Sequence, residues 1–188
     1  MTMSADLPHV RNASSLGDGA SSPASASVHG ATILGVEGLT LGADERAFLR
    51  DADPWGFILF ARNVDNPDQM RRLTGDLRDA VGRDAIVMTD QEGGRVQRLC
   101  APHWTDWPSA QDSAADGARA VELRYRLLGQ ELRAAGIDCD AAPCLDLAQD
   151  GTHPFLRNRC FGTDPDTVAR MGRAAADGLI AAGVLPVV

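Results

Sequence analysis

Val87-Met-Thr-Asp-Gln-Glu-Gly-Gly-Arg-Val-Gln-Arg98 begins as an apolar β-type run and ends as a charged loop broken by two glycines. A loop of this composition at the carboxyl end of a strand is where α/β folds assemble ligand sites. Asp90 and Glu92 offer carboxylate acceptors, and Arg95 and Arg98 offer rigid donor forks. Gly93-Gly94 lets the backbone bend where a side chain would stand in a ligand's way. Such a set suits a polyhydroxylated or anionic ligand.

Outward from this loop, the apolar period switches back and forth. On the amino side, Ala31-Thr-Ile-Leu-Gly-Val36 reads as a strand and residues 43–51 as a short helix, with Asp44 and Glu45 at its positive end. Gly56-Phe-Ile-Leu-Phe60 reads as a second strand. A helix follows over 67–81, with Asn66 as N-cap, Pro67 at the first position and Met70, Leu73, Leu77 and Val81 on one face. Ala85-Ile-Val-Met-Thr89 is the third strand, and the segment 91–118 is too long and irregular for a plain connector, a mark of function in compact domains.

On the carboxyl side, a helix over 121–135 ends at Gly136 and leads to a strand over 137–142 and the loop Pro143-Cys-Leu-Asp-Leu147. Asp164-Pro165 opens a helix running through Ala182, Gly183 closes it, and Val184-Leu-Pro-Val-Val188 reads as a fifth strand. Five near-continuous apolar strands alternating with four helices predict a parallel α/β sheet covered on at least one face. A doubly wound sheet closes on five strands, whereas a (β/α)8 barrel needs ~250 residues. Periodicity does not choose between them.

Composition narrows the function classes. With 188 residues, 44% hydrophobic and 23% charged, the chain can bury one sizeable core. A formal charge of −8 argues against sequence-independent nucleic-acid binding, which needs clustered cations on phosphates. Residues 1–28, dense in Ser, Ala and Gly, are expected to be a disordered tail, leaving 29–188 as the folded part. The tail holds no apolar segment of the length a secretory signal needs, and nothing in the chain reaches ~18 consecutive apolar residues, so no membrane partner and a cytoplasmic location are expected. Cys100, Cys139, Cys144 and Cys160 form no Cys-x-x-Cys pair and read as reduced thiols. A zinc set of Cys139, Cys144 and His153 lacks paired-ligand spacing, so no zinc site is expected and small core hydrophobes are the simpler reading of the thiols.

Four motifs occur in a recognisable order: Gly56-Phe-Ile-Leu-Phe-Ala-Arg-Asn63, Asp90-Gln-Glu-Gly-Gly-Arg-Val-Gln-Arg98, Ala142-Pro-Cys-Leu-Asp146 and Asn158-Arg-Cys-Phe-Gly162. Together they resemble glycoside hydrolase family 3, and more narrowly the amino-terminal part of its bacterial cytoplasmic β-N-acetylglucosaminidases of cell-wall recycling, from about Ala31 to Val188. The resemblance implies the (β/α)8 TIM barrel, of which this chain would hold about the first five strands. It also implies a retaining hydrolase that removes terminal non-reducing N-acetylglucosamine from muropeptide substrates without a cofactor. By motif match, Asp90, Arg98 and Arg159 are implied as sugar contacts. The family's Lys-His-x-Pro-Gly-His-Gly segment, its acid/base His-Asp pair and its nucleophilic Asp all fall beyond Val188. Retaining hydrolysis needs both a nucleophile and a proton donor, so the 188-residue chain is expected to hold sugar without cleaving it.

Blander readings accompany each residue. Asp90 and Arg98 can simply pair with each other. Glu92 and Arg95 can orient the loop through a mutual ion pair, with Gly93 and Gly94 supporting the bend. Asp146 can support the site or only hold its own loop. Trp104 and Trp107 suit either a stacking face for a sugar or anchors of the loop on the core. His103 and His153 have no Ser or Cys at a recognisable catalytic spacing. Two other functions stay open: a noncatalytic sugar-binding remnant of the same family, and an unrelated α/β domain using Gly93-Gly94 as an anion nest.

Overall fold

A computed structural model describes residues 29–188, so the tail expected over 1–28 lies outside the described residues. Strands β1 (Gly30–Gly35), β2 (Pro54–Leu59), β3 (Ile86–Thr89), β4 (Cys139–Asp140) and β5 (Leu185–Pro186) form one parallel sheet. The helices are α1 (Ala43–Ala52), α2 (Pro67–Val81), α3 (Ala110–Ala114), α4 (Ala118–Ala134), α5 (Pro154–Arg157) and α6 (Pro165–Ala181), and a 3-10 turn covers Ala61–Asn63. Sequence periodicity anticipates α1, α2, α4 and α6. The short α3 and α5 and the 3-10 turn sit inside segments that read as loops, because three to five residues are too few to display a period.

Strand order settles the architecture. The five strands lie in the sheet in the order β1-β2-β3-β4-β5, without the reversal that defines a doubly wound fold. Right-handed crossovers in an unreversed sheet put every connecting helix on the same face, which is the winding of a (β/α)8 barrel. On that face Phe57, Leu59 and Val87 pack with Leu73 and Leu77 of α2 and Leu128 and Leu132 of α4 in one buried cluster. The opposite face carries a row that crosses all five strands in register: Gly35, Ile58, Met88, Cys139 and Leu185. Its centre is buried, yet Leu185 remains 51% exposed.

Local chemistry fixes the elements. Asn66 accepts from the Gln69 amide at 3.0 Å and Asp164 from the Thr167 amide at 2.9 Å, so α2 and α6 each start on a side-chain cap followed by proline. The α4 and α6 helices pack backbone to backbone, since a Cβ at Gly178 would overlap the Glu122 carbonyl oxygen. At the amino ends of β3 and β4, Asp138 takes Arg78 of α2 and Arg133 of α4. That carboxylate fastens two helices to the sheet. The last two strands are shorter than the apolar runs predict, with paired residues confined to Cys139–Asp140 and Leu185–Pro186.

Candidate functional site

Buried amide side chains tie the carboxyl end of β1 to that of β2 and close the loop that follows β3. Asn63 is fully buried after β2; its amide donates to the Val36 and Gly38 carbonyls at 3.1 and 2.8 Å and so ties the loop after β1 to the turn after β2. Gln69 reaches the Leu39 carbonyl at 2.7 Å from the first turn of α2. After β3, the buried Gln91 accepts from the backbone amides of Arg98 and Leu99 and donates to the Leu99 carbonyl. Gln91 therefore closes 91–99 into a loop whose two ends, Asp90 and Arg98, meet. Gln97 binds the Thr105 carbonyl and the Trp107 amide, holding the following segment beneath that loop.

Within the loop, the amides of Glu92 and Gly93 donate to the Val96 carbonyl and the Gly94 amide donates to the Trp107 carbonyl. Both glycines have positive φ, and a Cβ on either would run into Pro108 or Ser109. Glycine is needed here for the close approach of 107–109, not to clear room for a ligand. With both N–H groups taken, the Gly93-Gly94 anion nest is not formed.

Asp90 and Arg98 pair at 2.6 Å, each about a quarter exposed, at the mouth of a cleft of about 520 Å³. Glu92, Arg95, Phe155 and Arg159 also line it. The mutual ion pair expected between Glu92 and Arg95 is absent. Glu92, 6% exposed, instead grips Arg159 through two nitrogens, with Nε at 2.9 and 3.1 Å and a terminal nitrogen at 2.5 Å. This fork-to-carboxylate contact, spanning 67 residues of sequence, holds the Arg159 proton more firmly than usual and docks the 154–159 segment on the β3 loop. Arg95 is exposed and lies over the ring of Phe155, which lines the same cleft.

Two carboxylates and three guanidinium groups thus converge where β3 and β4 end. The three residues implied by motif match, Asp90, Arg98 and Arg159, share this cleft. Asp146 does not line it; it is exposed and borders a neighbouring hollow with His153 and Leu156. Trp107 donates its ring N–H to Glu131 of α4 at 3.0 Å, and both Trp104 and Trp107 pack on the core, so the loop-anchor reading holds for them. His153 caps α5 by accepting from the Phe155 amide. Among the described residues no group of three His, Cys, Asp or Glu side chains is gathered to hold a metal, so Cys139, Cys144 and His153 do not form the zinc set considered above. A somewhat larger hollow of about 590 Å³ lies at the amino end of β3, but its Arg78 and Arg83 are occupied by Asp84, Asp138 and Asp53.

Sequence reasoning missed Asp140. It ends β4 with no exposed surface and accepts from the Gln91 amide at 2.8 Å. Burial, reinforced by the charges of Asp90 and Glu92, pushes its carboxyl up to about 7. A carboxylate in the middle of an apolar run was the signal available.

The Glycosyl hydrolase family 3 N terminal domain matches residues 30–188. A protein named Beta-hexosaminidase from Xylella fastidiosa (strain 9a5c) is 38% identical over 159 residues, which covers 81% of this chain and 47% of that protein. Another of that name from Pseudomonas aeruginosa is 36% identical, covering 84% of this chain and 47% of its own length. The NagZ crystal structure from Neisseria gonorrhoeae in complex with N-trifluoroacetyl-D-glucosamine superposes with a TM-score of 0.76 at 32% identity, over 84% of this chain and 49% of that one. The chain spans about half the length of the curated relatives it matches.

Proposed function

The chain belongs to glycosyl hydrolase family 3, and from that premise we propose that the Asp90–Arg98–Arg159 cleft binds the terminal non-reducing N-acetylglucosamine of a cell-wall saccharide. The complete polypeptide would then release that sugar by a retaining mechanism. The supporting observation is the meeting of Asp90, Arg98 and Arg159 at the carboxyl end of the sheet, each guanidinium already braced by a carboxylate. Sugar hydroxyls both donate and accept, so an ionised acceptor next to a fixed donor fork sets their orientation. Each such charge-assisted bond contributes about 1.5–3 kcal/mol.

In this proposal the cleft orients and does not cleave. Asp90 and Glu92 are both engaged by arginines, an arrangement suited to fixing a hydroxyl group rather than to displacing a leaving group. The 188-residue chain is accordingly a sugar-binding unit without turnover, and muropeptides are the substrate class assigned to the complete protein. A cytoplasmic setting accords with free thiols at Cys100, Cys139, Cys144 and Cys160.

Titration of the chain with N-acetylglucosamine, alongside Asp90→Ala, tests this reading. We expect saturable binding that weakens about tenfold or more in the variant, and no chromophore release from a chromogenic N-acetyl-β-glucosaminide. Undiminished binding by Asp90→Ala, or tighter binding of a nucleotide than of the sugar, contradicts it. Chromophore release by the 188-residue chain contradicts the assignment of binding without turnover.

A further inference from the structure

Asp140 lies beneath the cleft and outside it. Its Oδ1 accepts the Gln91 amide at 2.8 Å, and its Oδ2 is buried without a hydrogen-bond partner among the described residues. Gln91 stands between the two cleft carboxylates, so this single bond lies at the root of both Asp90 and Glu92. The side chain of Gln91 binds the far end of the same loop at Arg98 and Leu99. A shift at Asp140 therefore reaches both ends of the ligand-facing segment.

We propose that Asp140 is the positioning residue of the sugar cleft: its neutral buried carboxyl group holds the Gln91 amide and thereby sets the aim of Asp90 and Glu92, and a charge at Asp140 loosens the loop. This rests on the sugar-binding reading of the cleft for its consequence, though not for its geometry. The charged and titratable groups acting on Asp140 are Asp90 and Glu92 from the β3 loop, Tyr125 from α4 and Cys139 from its own strand. None of these is a cation. Arg98 and Arg159 spend their charge on Asp90 and Glu92; a third carboxylate charge behind those two would draw the Gln91 amide closer, but burial and the repulsion of Asp90 and Glu92 outweigh that gain and push the carboxyl up. An orphaned buried Oδ2 fits a protonated group better than an ionised one, since an ionised oxygen without a donor is the costlier state.

The sign follows from the raised proton affinity. A carboxyl whose folded value lies near 7 rather than its ordinary 3.8 contributes most to stability at low pH and loses that contribution as the pH climbs through about 7. Asp140→Asn keeps the Oδ1 acceptor and the neutral shape but cannot ionise; Asp140→Ala removes the acceptor altogether.

The test compares the three proteins at about pH 6 and about pH 8.5 by two readouts: amide-exchange protection of residues 90–98 without ligand, by mass spectrometry, and affinity for N-acetylglucosamine. In the parent chain both should fall severalfold at the higher pH, in Asp140→Asn both should hold steady, and in Asp140→Ala both should be low throughout. Equal pH dependence of loop protection in the parent and Asp140→Asn overturns the inference, as does full protection in Asp140→Ala. Loop protection that behaves as expected without sugar binding by any protein upholds the positioning role and counts against the proposed function alone.

Discussion

Arg159 takes its meaning from Glu92. The carboxylate is nearly inaccessible and engages the guanidinium through two nitrogens, so in the proposed site it positions Arg159 rather than touching the sugar itself. Glu92→Gln is expected to cost stability by about 2 kcal/mol, by leaving a partly buried guanidinium under-paired, and to weaken N-acetylglucosamine binding although Glu92 makes no bond to the sugar. Arg159→Lys should weaken binding as well, because an ammonium cannot reproduce the two-nitrogen grip. Melting curves and titrations of both variants check this pair of outcomes; unchanged affinity in Glu92→Gln would detach Arg159 from the cleft's work. At this scale the sequence was legible where a motif carries a charged residue into a loop: Asp90, Arg98 and Arg159 meet as the motifs imply. The partners of those residues were not legible. Glu92 pairs with Arg159 and not with its near neighbour Arg95, because the docking of 154–159 depends on the whole chain path between β3 and α6. Gln91, Asn63 and Asp140 are buried hydrogen-bonding groups whose partners are backbone atoms, at the far end of its own loop for Gln91 and in another loop for Asn63 and Asp140.

Among the elements, α4 and α6 form the closest helix pair on the sheet. Gly178 lies against the Glu122 carbonyl and the Arg126 amide, and Gly129 faces Ala182. Gly178→Ala therefore forces two backbones apart and should destabilise by about 1–3 kcal/mol or more, against a mild effect of Gly75→Ala in α2, where a Cβ meets nothing within 4 Å. Thermal melting of the two variants checks this, and equal melting temperatures would contradict the packing account. Removing a helix cap, as in Asn66→Ala, should cost about 1 kcal/mol. The caps and the apolar face of α2 were readable because local chemistry fixes them: Asn66-Pro67 opens the helix, and Met70, Leu73 and Leu77 are buried where the period puts them. The lengths of β4 and β5 were not, since ladder pairing depends on a neighbouring strand as well as on an apolar run.

For the whole molecule, strand order carries the fold and exposure carries the behaviour. The sheet runs β1 to β5 without reversal, a long-range fact that no local period contains. Its face away from the core cluster leaves Ile33 43% and Leu185 51% exposed, and the edge beside β5 leaves Val187 44% and Val188 78% exposed. The 188-residue polypeptide on its own is expected to associate through these surfaces. Sedimentation at several concentrations tests this, and a monomer across the range contradicts it. No helix among the described residues is long and apolar enough to cross a membrane.

The proposed sugar site is the cleft shared by Asp90, Arg98 and Arg159. Crystals of the chain grown with N-acetylglucosamine, refined to show the pyranose ring, test it most directly. Hydroxyl groups are expected within hydrogen-bond distance of the Asp90 carboxylate and of both guanidinium groups, with Glu92 still on Arg159 and Gln91 still on Asp140. A sugar bound elsewhere on the chain, or a cleft that stays empty while sugar binds in solution, contradicts it.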